Sequence, residues 1–304
     1  MQVQVSPQIA LEVEQHGDPE RPAIVLIMGL GMQLVAWPDA LVDALVNRGF
    51  HVIRFDNRDA GLSTQIDGFR PRNLPTAMLR GAVGWPVDAP YRLSELAADT
   101  VCLLDALGIA RAHVVGASMG GMVAQIVAGR HRARVISLTS IMSTSGARRL
   151  PPPRLDALLA LTRRPPRGAT VEALVEHYIR LFGVIGSPAH PTPQDALRER
   201  LHRSLSRAFR PAGTARQMLA ILASGDRCAE LAAIEAPTLV IHGSADPLVP
   251  AAAGRDTARR VRGATLLEVP GMGHDLPPSL LPMLADAIAT HCERAQAMAA
   301  QDSA

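Results

Sequence analysis

The chain has no lysine: all 31 of its basic residues are arginine, set against 28 acidic ones for a formal net charge of +3. An excess that small, in stretches with no aromatic interleaving, gives nucleic acid no footing. The densest basic stretches (Arg148-Arg149, Arg163-Arg164 and Arg198 to Arg203) read as solvated helix faces. Aromatics are only 3% of residues, so the core must be built from Ala, Leu, Val and Ile. Cysteine is scarce too. Cys102, Cys228 and Cys292 are odd in number, far apart and without a CxxC pair, which excludes a disulfide framework. Each lies in a helix-like stretch and reads as a buried free thiol, which favours a reducing, cytoplasmic setting. No apolar run reaches the roughly 18–20 residues of a membrane helix. Met1 to Leu11 alternates like a strand and lacks the basic start and apolar stretch of a secretory signal. Neither membrane nor nucleic acid is expected as a partner.

What is present is a well-buried globular chain, 48% hydrophobic and 19% charged over 304 residues. That length suits one large α/β domain, or a core carrying an inserted cap. Strand-like and helix-like segments alternate: strands at Ile9 to Gln15, Ala23 to Met28, His51 to Phe55, Ala112 to Val115 and Val135 to Met142. Helical spacing covers Trp37 to Arg48, Leu93 to Leu107 with Ser94 as N-cap, and Met119 to Ala128. Beyond Gly146, prolines at 151–153, 165–166 and 188–193 punctuate helical pieces with no buried strand between them. Strands resume at Thr238 to His242 and Thr265 to Val269. The order predicts a mostly parallel eight-stranded sheet with helices on both faces: core at 1–145 and 234–304, and a helical cap over 146–233. Functional groups should then sit beyond the carboxyl ends of the strands.

Gly116-Ala-Ser118-Met-Gly120 falls between a buried strand and a helix start, the context of a nucleophile elbow. Glycine is needed two residues either side of the serine, because Cβ atoms there would collide with neighbouring backbone. A serine hydroxyl needs a base, and the base needs orienting. His274, in the loop after the last strand, is the candidate base. Asp246, just past the preceding strand, is the candidate acid, and no Asp or Glu follows the strand ending at Met142 to compete. The order Ser118, Asp246, His274 is that of α/β-hydrolases. The oxyanion requires two backbone donors. Met119 N–H is one, and Leu30 N–H in Met28-Gly-Leu-Gly-Met32 is the other, with its neighbour Gly31 as the alternative. Gly29, Gly31, Leu34, Met142, Leu248 and Met272 are expected to line the substrate pocket, with Met32 nearby. The glycine-rich loop lacks the full dinucleotide fingerprint, so no cofactor and no metal is expected.

At these residues the sequence resembles the α/β-hydrolase superfamily, and more narrowly the bacterial esterases that include aclacinomycin methylesterase. The resemblance runs through Met28-Gly29, Trp37-Pro38-Asp39, Phe55-Asp-Asn-Arg-Asp-Ala-Gly-Leu-Ser63, Gly116 to Gly121, Pro237 to Ile241 and Val269 to His274. It implies cofactor-free ester hydrolysis with Ser118, Asp246 and His274 as nucleophile, acid and base. Many relatives have His-Gly where this chain has Met28-Gly29, so that histidine's structural role is absent. The stretch from Gly146 to Ala233 carries no resemblance, and an anthracycline ester as substrate does not follow. The expected activity is hydrolysis of small to medium apolar esters. Its alternatives are lactone, amide or C–C bond cleavage or perhydrolysis by the same triad, or ligand binding without catalysis on the same scaffold. A small-molecule ester is the expected partner, with a homodimer left open.

Overall fold

The computed structural model describes residues 1–69, 74–165 and 168–301. Eight strands form one sheet: β1 (Gln2–Ser6), β2 (Ile9–His16), β3 (Ala23–Ile27), β4 (His51–Phe55), β5 (Ala112–Ala117), β6 (Val135–Ile141), β7 (Thr238–Gly243) and β8 (Thr265–Val269). Their spatial order is β1-β2-β4-β3-β5-β6-β7-β8. β2 runs antiparallel to both β1 and β4, and every pairing from β4 to β8 is parallel.

The helices are α1 (Asp39–Asn47), α2 (Leu74–Ala82), α3 (Leu93–Ala106) and α4 (Met119–Arg130), followed after β6 by α5 (Leu155–Thr162), α6 (Val171–Ile185), α7 (Gln194–Arg207), α8 (Pro211–Ser224) and α9 (Cys228–Ala232), and finally α10 (Ala251–Arg260) and α11 (Leu281–Gln301). The continuous apolar runs of the central strands are explained by burial on both faces. Val25, Ile27 and Val114 point into a core shared with α3 and α4. Their neighbours Ile24, Leu26 and Val115 point the other way, into a core shared with α1 and α11. Each such Val, Leu or Ile contributes about 1.5–3 kcal/mol by leaving water.

Four local expectations are corrected. α1 begins at Asp39, after a short 3-10 turn at Leu34–Ala36, because Pro38 is extended and serves as N-cap. α3 begins one residue before Ser94, whose hydroxyl is bonded instead to Glu95. The free Leu93 N–H is met from a distance by Ser224 Oγ at 2.9 Å, a cap that local sequence cannot announce. Of the three free thiols, Cys292 is buried while Cys102 and Cys228 are half-buried. Among the basic stretches only Arg198 to Arg203 lies on a helix, α7.

Among the described residues between β6 and β7 the regular elements are all helices, α5 to α9. α6 and α7 pack on each other through Val175, Leu197 and Leu201. Because β3 and β5 to β8 are parallel, the segments that leave their carboxyl ends (Met28 onward, Ser118, Met142, Ser244 to Asp246, and Pro270 to His274) emerge along one edge. Among the described residues no helix is long and apolar enough to cross a membrane.

Candidate active site

Ser118 joins β5 to α4 at φ 55° and ψ −118°, a conformation costly for any residue with a side chain. The turn is held by Ser118 N–H donating to Ile141 O at 2.9 Å and by Ser143 Oγ donating to Ser118 O at 2.8 Å. A Cβ on Gly116 would overlap Gly120 O, and a Cβ on Gly120 would overlap Ile27 O. Both flanking glycines are therefore required by close backbone approach, as the motif predicts. Within Gly116 to Gly120 only Ser118 keeps appreciable exposure, and as N-cap of α4 it stands at the positive end of a twelve-residue helix.

The three side chains of the expected triad meet. His274 Nε2 lies 3.0 Å from Ser118 Oγ, and His274 Nδ1 lies 2.7 Å from Asp246 Oδ2. Asp246 is itself fixed: its Oδ1 accepts from Leu248 N–H at 2.9 Å and from Val249 N–H at 2.8 Å. The carboxylate can only accept at Oδ2, so Nδ1 carries the imidazole proton and Nε2 is left to accept from the serine hydroxyl. His242 supports the acid loop, its Nε2 donating to Val249 O at 2.7 Å. Burial holds His242 below the usual imidazole range, against the pull of Val249 O and Asp246.

The histidine loop is gripped by the end of α6, which sequence reasoning did not foresee. His274 N–H donates to Ile185 O at 2.7 Å and Gly273 N–H to Ser187 Oγ at 2.8 Å. The Ser187 hydroxyl in turn donates to Asp275. Burial pushes the Asp275 carboxyl up, opposed by Ser187 and the Arg200 charge.

The loop after β3 is bound on all sides. Met28 O accepts from Asn57 Nδ2 at 3.1 Å, and Leu34 N–H donates to Asp56 Oδ1 at 2.6 Å. Gln33 Nε2 donates to Ser204 O and Ala208 O, and Arg207 bridges Gln33 and Asp56. Asp56 has no exposed surface, and burial raises its carboxyl even against Arg207 and two backbone N–H groups. Gly31 N–H donates to Gln217 Oε1 at 2.7 Å. Of the two candidate donors, Gly31 is therefore spoken for, while Leu30 N–H and Met119 N–H have no hydrogen-bond partner among the described residues. Gly29 brings this loop against the serine: a Cβ on it would stand 3.2 Å from Ser118 Cβ.

The expected pocket residues divide. Leu34 and Met272 have no exposed surface, and Met142 is buried at φ 42° in the α1–α11 core. These three belong to the interior and line no open surface, because the central sheet is covered on both faces. Leu248 is half-buried beside Asp246. Gly31 borders a cleft of about 50 Å³ whose walls include Met32, Tyr178, Arg200, Ser204 and Thr214. Among the described residues no group of three or more His, Cys, Asp and Glu side chains could hold a metal ion.

Residues 22–278 match the family model described as alpha/beta hydrolase fold. The chain belongs to the α/β-hydrolase family. The rhodomycin D methylesterase DnrP of Streptomyces peucetius is 30% identical over 308 residues, covering 95% of this chain and 96% of that protein. The rhodomycin D methylesterase DauP of Streptomyces sp. (strain C5) is 30% identical over 311 residues, with 95% and 96% covered. Alignments that leave out so little run through 146–233 as well. The crystal structure of the enol-lactonase from Burkholderia xenovorans LB400 superposes with a TM-score of 0.72 at 23% identity, covering 95% of this chain and 98% of that one. That likeness speaks for the shared α/β-hydrolase fold alone.

Proposed function

We propose that this α/β-hydrolase cleaves carboxylic esters through an acyl-enzyme on Ser118, acting on apolar esters of small alcohols. The observation that carries the reading is the Ser118–His274–Asp246 hydrogen-bonded chain beside two unpaired backbone N–H groups. His274 Nε2 takes the hydroxyl proton as Ser118 Oγ bonds to the ester carbonyl carbon. The carbonyl oxygen becomes an oxyanion that accepts from Leu30 N–H and Met119 N–H, while Asp246 stabilises the imidazolium. The tetrahedral adduct then breaks its bond to the alcohol oxygen, which departs with the proton from His274. Water, deprotonated by His274, attacks the acyl-serine and releases the acid, returning the proton to Ser118.

The substrate class rests on two supports. Both relatives named above are methylesterases. Leu30 and Met32, in the loop that Gly29 brings against the serine, and Leu248 beside Asp246 offer half-buried apolar surface, and a thioether adapts to varied shapes. Helices α5 to α8 act as a cap, and residues of α6, α7 and α8 face the loop after β3 across a cleft bordered by Gly31.

Rates over a matched panel of methyl and aryl esters, lactones and amides, for the wild type and Ser118→Ala, test the reading. Esters should be fastest, with apolar ones ahead of charged ones of equal length. Ser118→Ala should lower kcat by about 10³-fold or more. Lactones or amides outrunning esters would overturn the ester assignment, and full activity of Ser118→Ala would overturn the nucleophile.

A further inference from the structure

We propose that Gln217, on a helix of the excursion between β6 and β7, is a positioning residue for the oxyanion loop, locking the Leu30–Gly31 peptide so that its dipole keeps one direction beside the Leu30 N–H that serves the oxyanion. The proposal rests on the acyl-transfer reading above. Gly29-Leu30-Gly31-Met32 is a four-residue turn closed by Met32 N–H donating to Gly29 O at 3.1 Å, with Gly31 in third position at φ +67°. Positive φ at that position is the mark of a type II turn. Rotating the central peptide by about half a turn converts it to type I, and glycine accepts both signs of φ without steric cost. Such a rotation would turn the Leu30 carbonyl over and reverse a dipole next to the developing oxyanion. A glycine loop by itself has nothing to prevent that.

Gln217 supplies the restraint. Its Oε1 accepts from Gly31 N–H at 2.7 Å, its Nε2 donates to Arg58 O at 2.8 Å, and the side chain has no exposed surface. A carbonyl can only accept and an N–H only donate, so the two partners fix which way the amide faces. One turn earlier on α8, Thr214 lies against the same glycine: a Cβ on Gly31 would come within 2.6 Å of its Oγ1. α8 cannot easily drift, because Arg216 forms a two-pronged ion pair with buried Asp59, which also accepts from Tyr91 Oη at 2.7 Å. The helical excursion thus holds part of the catalytic machinery in place, besides any part it takes in choosing substrate.

The test compares an aryl ester with its thionoester, in which sulfur replaces the carbonyl oxygen, for the wild type, Gln217→Met and Gln217→Glu. A thiocarbonyl accepts hydrogen bonds poorly, so a working oxyanion site favours the oxygen ester. Gln217→Met keeps the length and removes both hydrogen bonds. It should lower kcat on the ester by about 10²-fold, leave KM within about twofold, and shrink the ester-to-thionoester ratio about tenfold. Gln217→Glu keeps the acceptor for Gly31 N–H and should recover at least a tenth of wild-type kcat. Should Gln217→Met fail to fold, Gln217→Asn carries the same expectation, being polar but too short to span both partners. Equal losses on the two substrates, or an unchanged kcat, overturn the positioning role. A wild type with no preference for the oxygen ester overturns the acyl-transfer reading with it.

Discussion

At the scale of single residues, the site depends on which atoms are already committed. Asp246 Oδ1 is held by Leu248 N–H and Val249 N–H, so only Oδ2 faces His274. Asp246→Asn would keep its oxygen on those two N–H groups and turn its amide nitrogen toward Nδ1. The imidazole would then have to accept at Nδ1 and carry its proton on Nε2, facing Ser118. That is the wrong tautomer for a base, and kcat should fall by about 10⁴-fold with KM little changed. Steady-state kinetics on an aryl ester check this, and a loss of tenfold or less would contradict it. Ser118, Asp246 and His274 were legible in the sequence because each has a chemically distinctive type at a strand end. The choice between Leu30 and Gly31 was not, because Gln217, 186 positions away, decides it.

At the scale of elements, the segments most legible in the sequence are those whose burial is continuous. β3, β5 and β7 are buried throughout, and an unbroken apolar run bounded by turn residues says as much. Element boundaries were read less well where a distant side chain supplies the cap, as Ser224 does for α3. The attachment of the helical excursion was hidden for the same reason. α8 is tied to the loop after β4 by Arg216 and Asp59, whose exposures are 8% and 0%. Arg216→Met would strand the Asp59 charge in the interior and should cost about 3–5 kcal/mol. Urea denaturation monitored by circular dichroism measures the loss, and a change under about 1 kcal/mol would show that the pair is not holding α8.

At the scale of the whole molecule, a sheet buried on both faces leaves little water for polar groups trapped in it. His113 shows the consequence. It is the second residue of β5, with no exposed surface and its Nδ1 bonded to Ser137 Oγ at 2.8 Å. Burial holds its pKa down to about 4 from an ordinary 6.5, with nearby His291 and Arg111 lowering it further and Gln296 raising it. The folded state then resists a proton that the unfolded chain accepts. This part of stability is complete above about pH 6.5 and is lost as pH falls toward 4. Between pH 7.5 and pH 5 it amounts to about 2 kcal/mol. Unfolding free energies from urea denaturation at the two pH values should converge by roughly that amount in His113→Gln relative to the wild type, and an unaltered pH dependence would refute the assignment.

The central claim is that Ser118 is a nucleophile activated by His274 and Asp246. Treatment with a fluorophosphonate, followed by intact and peptide mass analysis, tests it most directly. The account predicts one adduct per chain, located on Ser118, absent in Ser118→Ala and formed far more slowly in His274→Ala. No adduct on the folded wild type, or an adduct on another residue, would contradict it.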